Sequence, residues 1–172
     1  MPLLPAHVMD FRLGVLAHNT AAAALFGDGF GTAGADNLAR ALFLPTPIRA
    51  TKLDWARVAR ETVGNLRVNR ARHTDDPRLL GLIAELRSAG ADFAAGWEDH
   101  TVKERDHGIK RVLHPVVGEL TVNHDALAAP GDFDQCLIAV TPADAAAERA
   151  LRTLVACHAA AAAPASVRQI VA

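Results

Sequence analysis

HPVVGELTVNHDAL, residues His114–Leu127, is the stretch on which the reading of this chain turns. A proline stands near one end, a glycine follows at Gly118, and apolar residues alternate after it. Pro115 has no N–H to give a ladder, so it suits the end of a strand. Gly118 permits a bulge or the close approach of a helix. At period two, Gly118, Leu120 and Val122 share one face, and Val117, Glu119 and Thr121 share the other. The stretch therefore reads as a strand end, a tight joint over Pro115–Gly118, and a second strand. One of its faces is expected to meet helices as a wall, with no catalytic residue on it.

The chain around it follows the same logic. GIKRVLHP before the joint and DQCLIAVTP after it read as strands. Near the start, HVMD and LGVLAHN read as a hairpin turned by Asp10 and Gly14. Between these regions the period is helical. Asn19-Thr20 caps AAAALF, and Asp36 or Asn37 caps LARALFL, which Pro45 and Pro47 stop. WARVARETVGNLRVNRAR spaces Trp55, Val58, Ala59, Val63, Leu66 and Arg67 on one helical stripe, with Asp54 at the N-cap position. Asp76-Pro77 opens RLLGLIAELRSAG, which Gly90 ends. ADFAAGWEDH sets Phe93 and Trp97 four apart on one face. From Ala143 to Ala163 the chain is alanine-rich helix. Two strands, a helical block, three strands and a helix predict an α+β fold. The expected sheet is five-stranded and antiparallel, with helices inserted between strands two and three and a C-terminal helix behind. Residues 1–163 are read as one domain and 164–172 as a frayed tail.

Composition narrows the function classes. The 172 residues carry 51% hydrophobic side chains and a formal net charge of −1, so neither disorder nor a basic nucleic-acid surface is indicated. No phosphate-cradling glycine loop, zinc knuckle or helix-turn-helix is present. MPLLPAHVMD has neither a basic start nor a long apolar run, and no run of eighteen or more apolar residues exists, so no signal peptide or membrane span is expected. Cys136 and Cys157 are far from any CxxC spacing, which fits reduced thiols in a cytoplasmic protein. The bias to Ala, and to Arg over Lys, suggests a GC-rich bacterial genome.

Residues that invite chemistry have plain readings beside them. His100, His107, His114 and His124 cluster in sequence but show no HxH, HxxxH or HExxH spacing, so no metal site is expected. Cys157 and His158 are neighbours on a helix and point about 100° apart. Glu61, Asp75, Asp76 and Glu85 suit helix caps and solvated faces better than a glycosidase pair. Phe43, Leu66, Phe93 and Trp97 are either ordinary core or the wall of a cavity between helices and sheet. In the second case Leu120 belongs to the same wall. Arg67, His100 and His114 would then supply a cationic or donor end for an anionic head group.

Taken in order, VLAHNTAAAALFGD, NLARALFL, DWARVARETVGNLR, DDPRLLGLIAELR, FAAGWEDHTVK and KRVLHPVVGELTVNHDAL resemble the ligand-binding domain of the MmyB-like transcription regulators. The resemblance runs from about His7 to about Pro142, and its most specific pieces are DDPRL, Trp97-x-x-His100 and HPVVGELTV. It implies a PAS-like sensor fold, to which the opening DxxxGVLxxN is also similar. It further implies a small, apolar, fatty-acid-like ligand and a relay to a DNA-binding half. Family members join an Xre-type helix-turn-helix to this module; that segment is missing here, so DNA contact is expected only through a domain outside this chain. Two further departures are His18, where an aromatic residue usually precedes Asn19, and AVTP, where relatives tend to carry a tyrosine. The expectation is thus a sensory domain without enzymatic activity or cofactor, acting as a bacterial homodimer. A non-sensing dimerisation module is the alternative, and a small hydrolase or isomerase the third reading.

Overall fold

The computed structural model describes residues 4–27, 30–32, 36–46, 49, 51, 53–99, 107–129 and 131–162. His100 and the expected tail, 164–172, lie outside them.

Strands β1 (Ala6–Asp10) and β2 (Val15–His18) form the expected hairpin, with His7 opposite His18. Asp10 builds its turn: the carboxylate accepts from the N–H groups of Arg12 (2.9 Å) and Gly14 (2.8 Å). Leu13, inside that turn, holds φ at 64°, a left-handed conformation that leucine seldom takes. Helix α1 (Thr20–Phe26) starts at Asn19, whose Oδ1 accepts from Ala22 N (2.9 Å). Helix α2 (Leu38–Phe43) starts at Asn37, which accepts from Ala39 N (3.0 Å) and Arg40 N (3.2 Å).

Helix α3 (Trp55–Arg72) departs from expectation at its start. Asp54 holds the N-cap position but bonds no helix N–H. Its carboxylate instead accepts from Arg111 Nη2 (2.9 Å) and Arg57 Nη2 (3.3 Å), because two guanidinium groups outcompete neutral amides for it. Helix α4 (Pro77–Ala89) is capped by Asp76, which accepts from Leu79 N at 2.7 Å. Helix α5 (Ala91–Glu98) follows directly.

The remaining strands are β3 (His107–His114), β4 (Gly118–Ala129) and β5 (Asp132–Pro142). The opening stretch behaves as read: β3 and β4 are a hairpin with His114 opposite Gly118, and Gly118 takes φ of 74°. A three-residue loop closed by a left-handed glycine matches the right-handed twist of the strands. The sheet order is β2-β1-β5-β4-β3, every pairing antiparallel. The first hairpin thus docks on the last strand, Met9 opposite Cys136, and the helical block is inserted between strands two and three. This is the predicted α+β architecture. Helix α6 (Ala145–Ala162) packs on α1, β4 and β5 and buries Ala147, Leu151 and Leu154. Those positions fall at i, i+4 and i+7, so its apolar stripe is used inside the chain. Among the described residues, no helix is long and apolar enough to cross a membrane.

Two carboxylates make this fold acid-labile. Arg12 Nε donates to Asp76 Oδ1 (2.8 Å), tying the first turn to the start of α4 and holding the Asp76 carboxyl well below its usual range. Arg111, with Arg57, pushes Asp54 down to about 2. An unfolded aspartate titrates near pH ~3.9. A depressed folded pKa adds stability above that pH and loses it as pH falls through the folded value. Thermal melts are expected to decline gently below about pH 6.5, because burial lowers the pKa values of His114 and His124 and the unfolded chain takes up their protons more readily, and to fall steeply from about pH 4 toward pH 2. Asp76→Asn, which keeps the cap acceptor but loses the charge, should give a lower plateau and a shallower acid limb.

Candidate functional site

Strand pleating and helix period together build one hollow. Inward-facing residues alternate along β4 as Val122, His124, Ala126 and Ala128, and along β5 as Asp134, Cys136, Ile138 and Val140. Lys110 and Val112 come from β3, and His7 and Met9 from β1. Over them lies one stripe of α3: Val58, Thr62, Asn65, Asn69 and Arg72. Those five are spaced four, three, four and three apart, which keeps them on one helix face for roughly 20 Å. Between helix and sheet is a cavity of about 390 Å³, within the usual range for small-molecule sites.

Its walls differ along its length. Beside β1, His7 is buried and meets the rings of Phe26 (5.8 Å) and Phe30 (5.1 Å) edge-on. At the C-terminal end of α3, Phe11 stacks on His73 with centroids 3.8 Å apart, and the Arg12 guanidinium lies 4.2 Å over the same ring. Asn69 Nδ2 donates to the Phe11 carbonyl (2.7 Å), and His73 Nε2 is 3.0 Å from Asp134 Oδ1. First turn, α3 and β5 are thereby joined at one end of the cavity.

In the middle, His124 Nδ1 donates to the Gly108 carbonyl at 2.8 Å, leaving Nε2 as an acceptor. Burial first, and the nearby Lys110 charge second, push the His124 pKa down. Lys110 reaches into the same region, and burial pushes its pKa down as well. Thus a mostly apolar chamber carries a few convergent polar groups. No group of three or more His, Cys, Asp or Glu converges as a metal site among the described residues.

A sequence model of the MmyB-like transcription regulator ligand binding domain matches residues 1–154. The chain belongs to that family. The MmyB-like domain is the ligand-binding part of transcription regulators. No curated protein matches the chain.

In this MmyB-like domain the residues singled out from sequence spacing sit away from the cavity. Leu66 and Phe93 are fully buried among the helices, where Phe93 meets Phe43 edge-on (4.9 Å) and stacks on Trp97 (5.6 Å). Arg67 donates to the Asp99 carbonyl (2.5 Å) and lies 5.9 Å from the Trp97 ring, beside a shallow surface cleft. His114 Nε2 donates to the Ala24 carbonyl (3.1 Å) and its Nδ1 accepts from Val116 N (3.1 Å), which pins the β3–β4 turn to α1. Leu120 faces inward on β4 but is packed solid, 3% exposed. His100 is outside the described residues. The reason is that α3 has two buried faces. Ala59, Val63 and Leu66 look toward other helices, and the face toward the sheet is partly polar. Thr62, Asn65 and Asn69, on that face, are polar and fall outside the stripe that the apolar spacing marks. The recoverable signal was the alternation itself, which carries Lys110 with Val112 and His124 with Val122.

Proposed function

We propose that this cavity is the ligand site of the regulator domain, and that it takes a single-chain amphiphile of fatty-acid type. The observation that carries the reading is the hollow itself: about 390 Å³ between α3 and the sheet, walled by Val58, Val112, Val122, Ile138 and Val140. A chain of some ten CH₂ groups would gain about 8 kcal/mol gross on burial, at ~0.8 kcal/mol per CH₂. Association costs remove a large part of that. The surplus suffices to shift a two-state domain arrangement if one state binds better. The joint of Phe11, His73, Asn69 and Asp134 is the element such a ligand would bias, since it ties three segments beside the chamber. The state is relayed to a DNA-binding partner domain in a cytoplasmic bacterial regulator. A homodimer on a two-fold operator suits that role.

The test is native mass spectrometry with thermal melts against a series of saturated fatty acids. Bound acid should be seen, and the melting point should rise with acid concentration. At a hundred times Kd the gain is about 2.7 kcal/mol. Neither bound acid nor any shift across the series would remove the fatty-acid reading.

A further inference from the structure

The wall of the cavity contains one feature that an acyl chain alone does not need. Lys110 lies on β3 between Ile109 and Arg111, both turned outward and exposed. The pleat therefore sends the Lys110 side chain inward, on the face that carries Val112. It stands opposite Val122 in the β3–β4 ladder and beside His124. By exposed area Lys110 is intermediate, because its chain borders the hollow, and burial pushes its pKa down.

The groups around it do not neutralise it. Glu61 on α3 is the carboxylate whose charge acts on it, but Arg57 Nη1 donates to Glu61 Oε1 at 3.0 Å. Arg57 is in turn shared with Asp54 (3.3 Å) and the Ile109 carbonyl (2.6 Å). His124 offers only its Nε2 lone pair, its Nδ1 proton being engaged by Gly108. Among the described residues no carboxylate forms an ion pair with Lys110. A cation enclosed beside apolar walls is costly unless something of opposite charge meets it. Arg72, the other cation bordering the hollow, is exposed and remains in water.

We propose that Lys110 is the head-group partner and sets specificity: the cavity selects amphiphiles bearing an ionised carboxylate, which pairs with the Lys110 ammonium. This rests on the cavity being the ligand site. The head group then sits at the middle of the chamber, between β3 and α3, with His124 and Thr62 as its polar neighbours. The alkyl chain is left to the apolar remainder. Neutral chains of the same length fit the hollow but lose the ion pair.

Calorimetric titration of the full chain with decanoic acid and with decanol tests this. Wild type should bind the acid more tightly, by about tenfold to a hundredfold, as expected for a hydrogen bond to a charged group. Lys110→Met should remove that preference while keeping decanol affinity, which also reports that the variant is folded. Lys110→Gln serves the same purpose if the Met variant does not fold. Lys110→Arg should restore part of the preference. Equal affinity of wild type for acid and alcohol overturns this inference alone, as does a Met or Gln variant that still prefers the acid. Binding of neither compound by wild type overturns the cavity reading and takes this inference with it.

Discussion

Phe93→Ala is expected to destabilise the domain by about 3–5 kcal/mol, the range for deleting a large buried aromatic side chain. Phe93 has no exposed surface and is held between Phe43 and Trp97 in the helical layer. Alanine there leaves a void that Leu66, Leu79 and Leu86, themselves fully buried, have no slack to fill. A loss of this size is a large part of the stability of an ordinary domain. The melting point should fall by on the order of 10 °C. Chemical denaturation read by tryptophan fluorescence and by circular dichroism gives the size, and coincident curves validate it. Binding of decanoic acid, measured well below the new melting point, should be nearly unchanged because Phe93 does not border the cavity. Lost binding at full stability would instead make the helical aromatic cluster the ligand site.

Ala126→Trp is expected to do the reverse: it should abolish ligand binding and leave the fold standing. Ala126 faces inward on β4 opposite Ile138 and lines the hollow. An indole brings roughly 150–250 Å² of surface to bury, and the chamber offers about 390 Å³ to take it. Filling an existing cavity commonly stabilises by about 0.5–2 kcal/mol, so the empty variant should melt no lower than wild type. Affinity for decanoic acid should drop by about a hundredfold or more, since several buried CH₂ groups lose their place at ~0.8 kcal/mol each. Melting curves with and without the acid check both halves. An undiminished shift in the variant would mean that the acid binds elsewhere.

Much of the fold was legible because its signals are local. Asn19, Asn37 and Asp76 cap helices as side-chain oxygens next to amphipathic runs should, and Asp10 closes the first turn. Asp54 shows the limit. Its neighbours in sequence say cap, and Arg111, distant in sequence, takes its carboxylate instead. The candidate site was less legible for a related reason. An apolar stripe on α3 is conspicuous, and it was the stripe that packs on other helices. The stripe over the cavity contains threonine and two asparagines, which in a linear sequence look like a face turned to water.

What the sequence determined by itself was periodicity, caps and turns, and from these the order of elements, the antiparallel sheet and the family likeness. These depend on contacts within a few residues along the chain. Which buried face encloses space, and which is packed solid, was decided only when β1 docked on β5 and α3 was laid across the inner face of the sheet. Packing density is a property of side chains brought together from distant segments. Lys110 therefore reads as one more strand lysine until the fold closes around it.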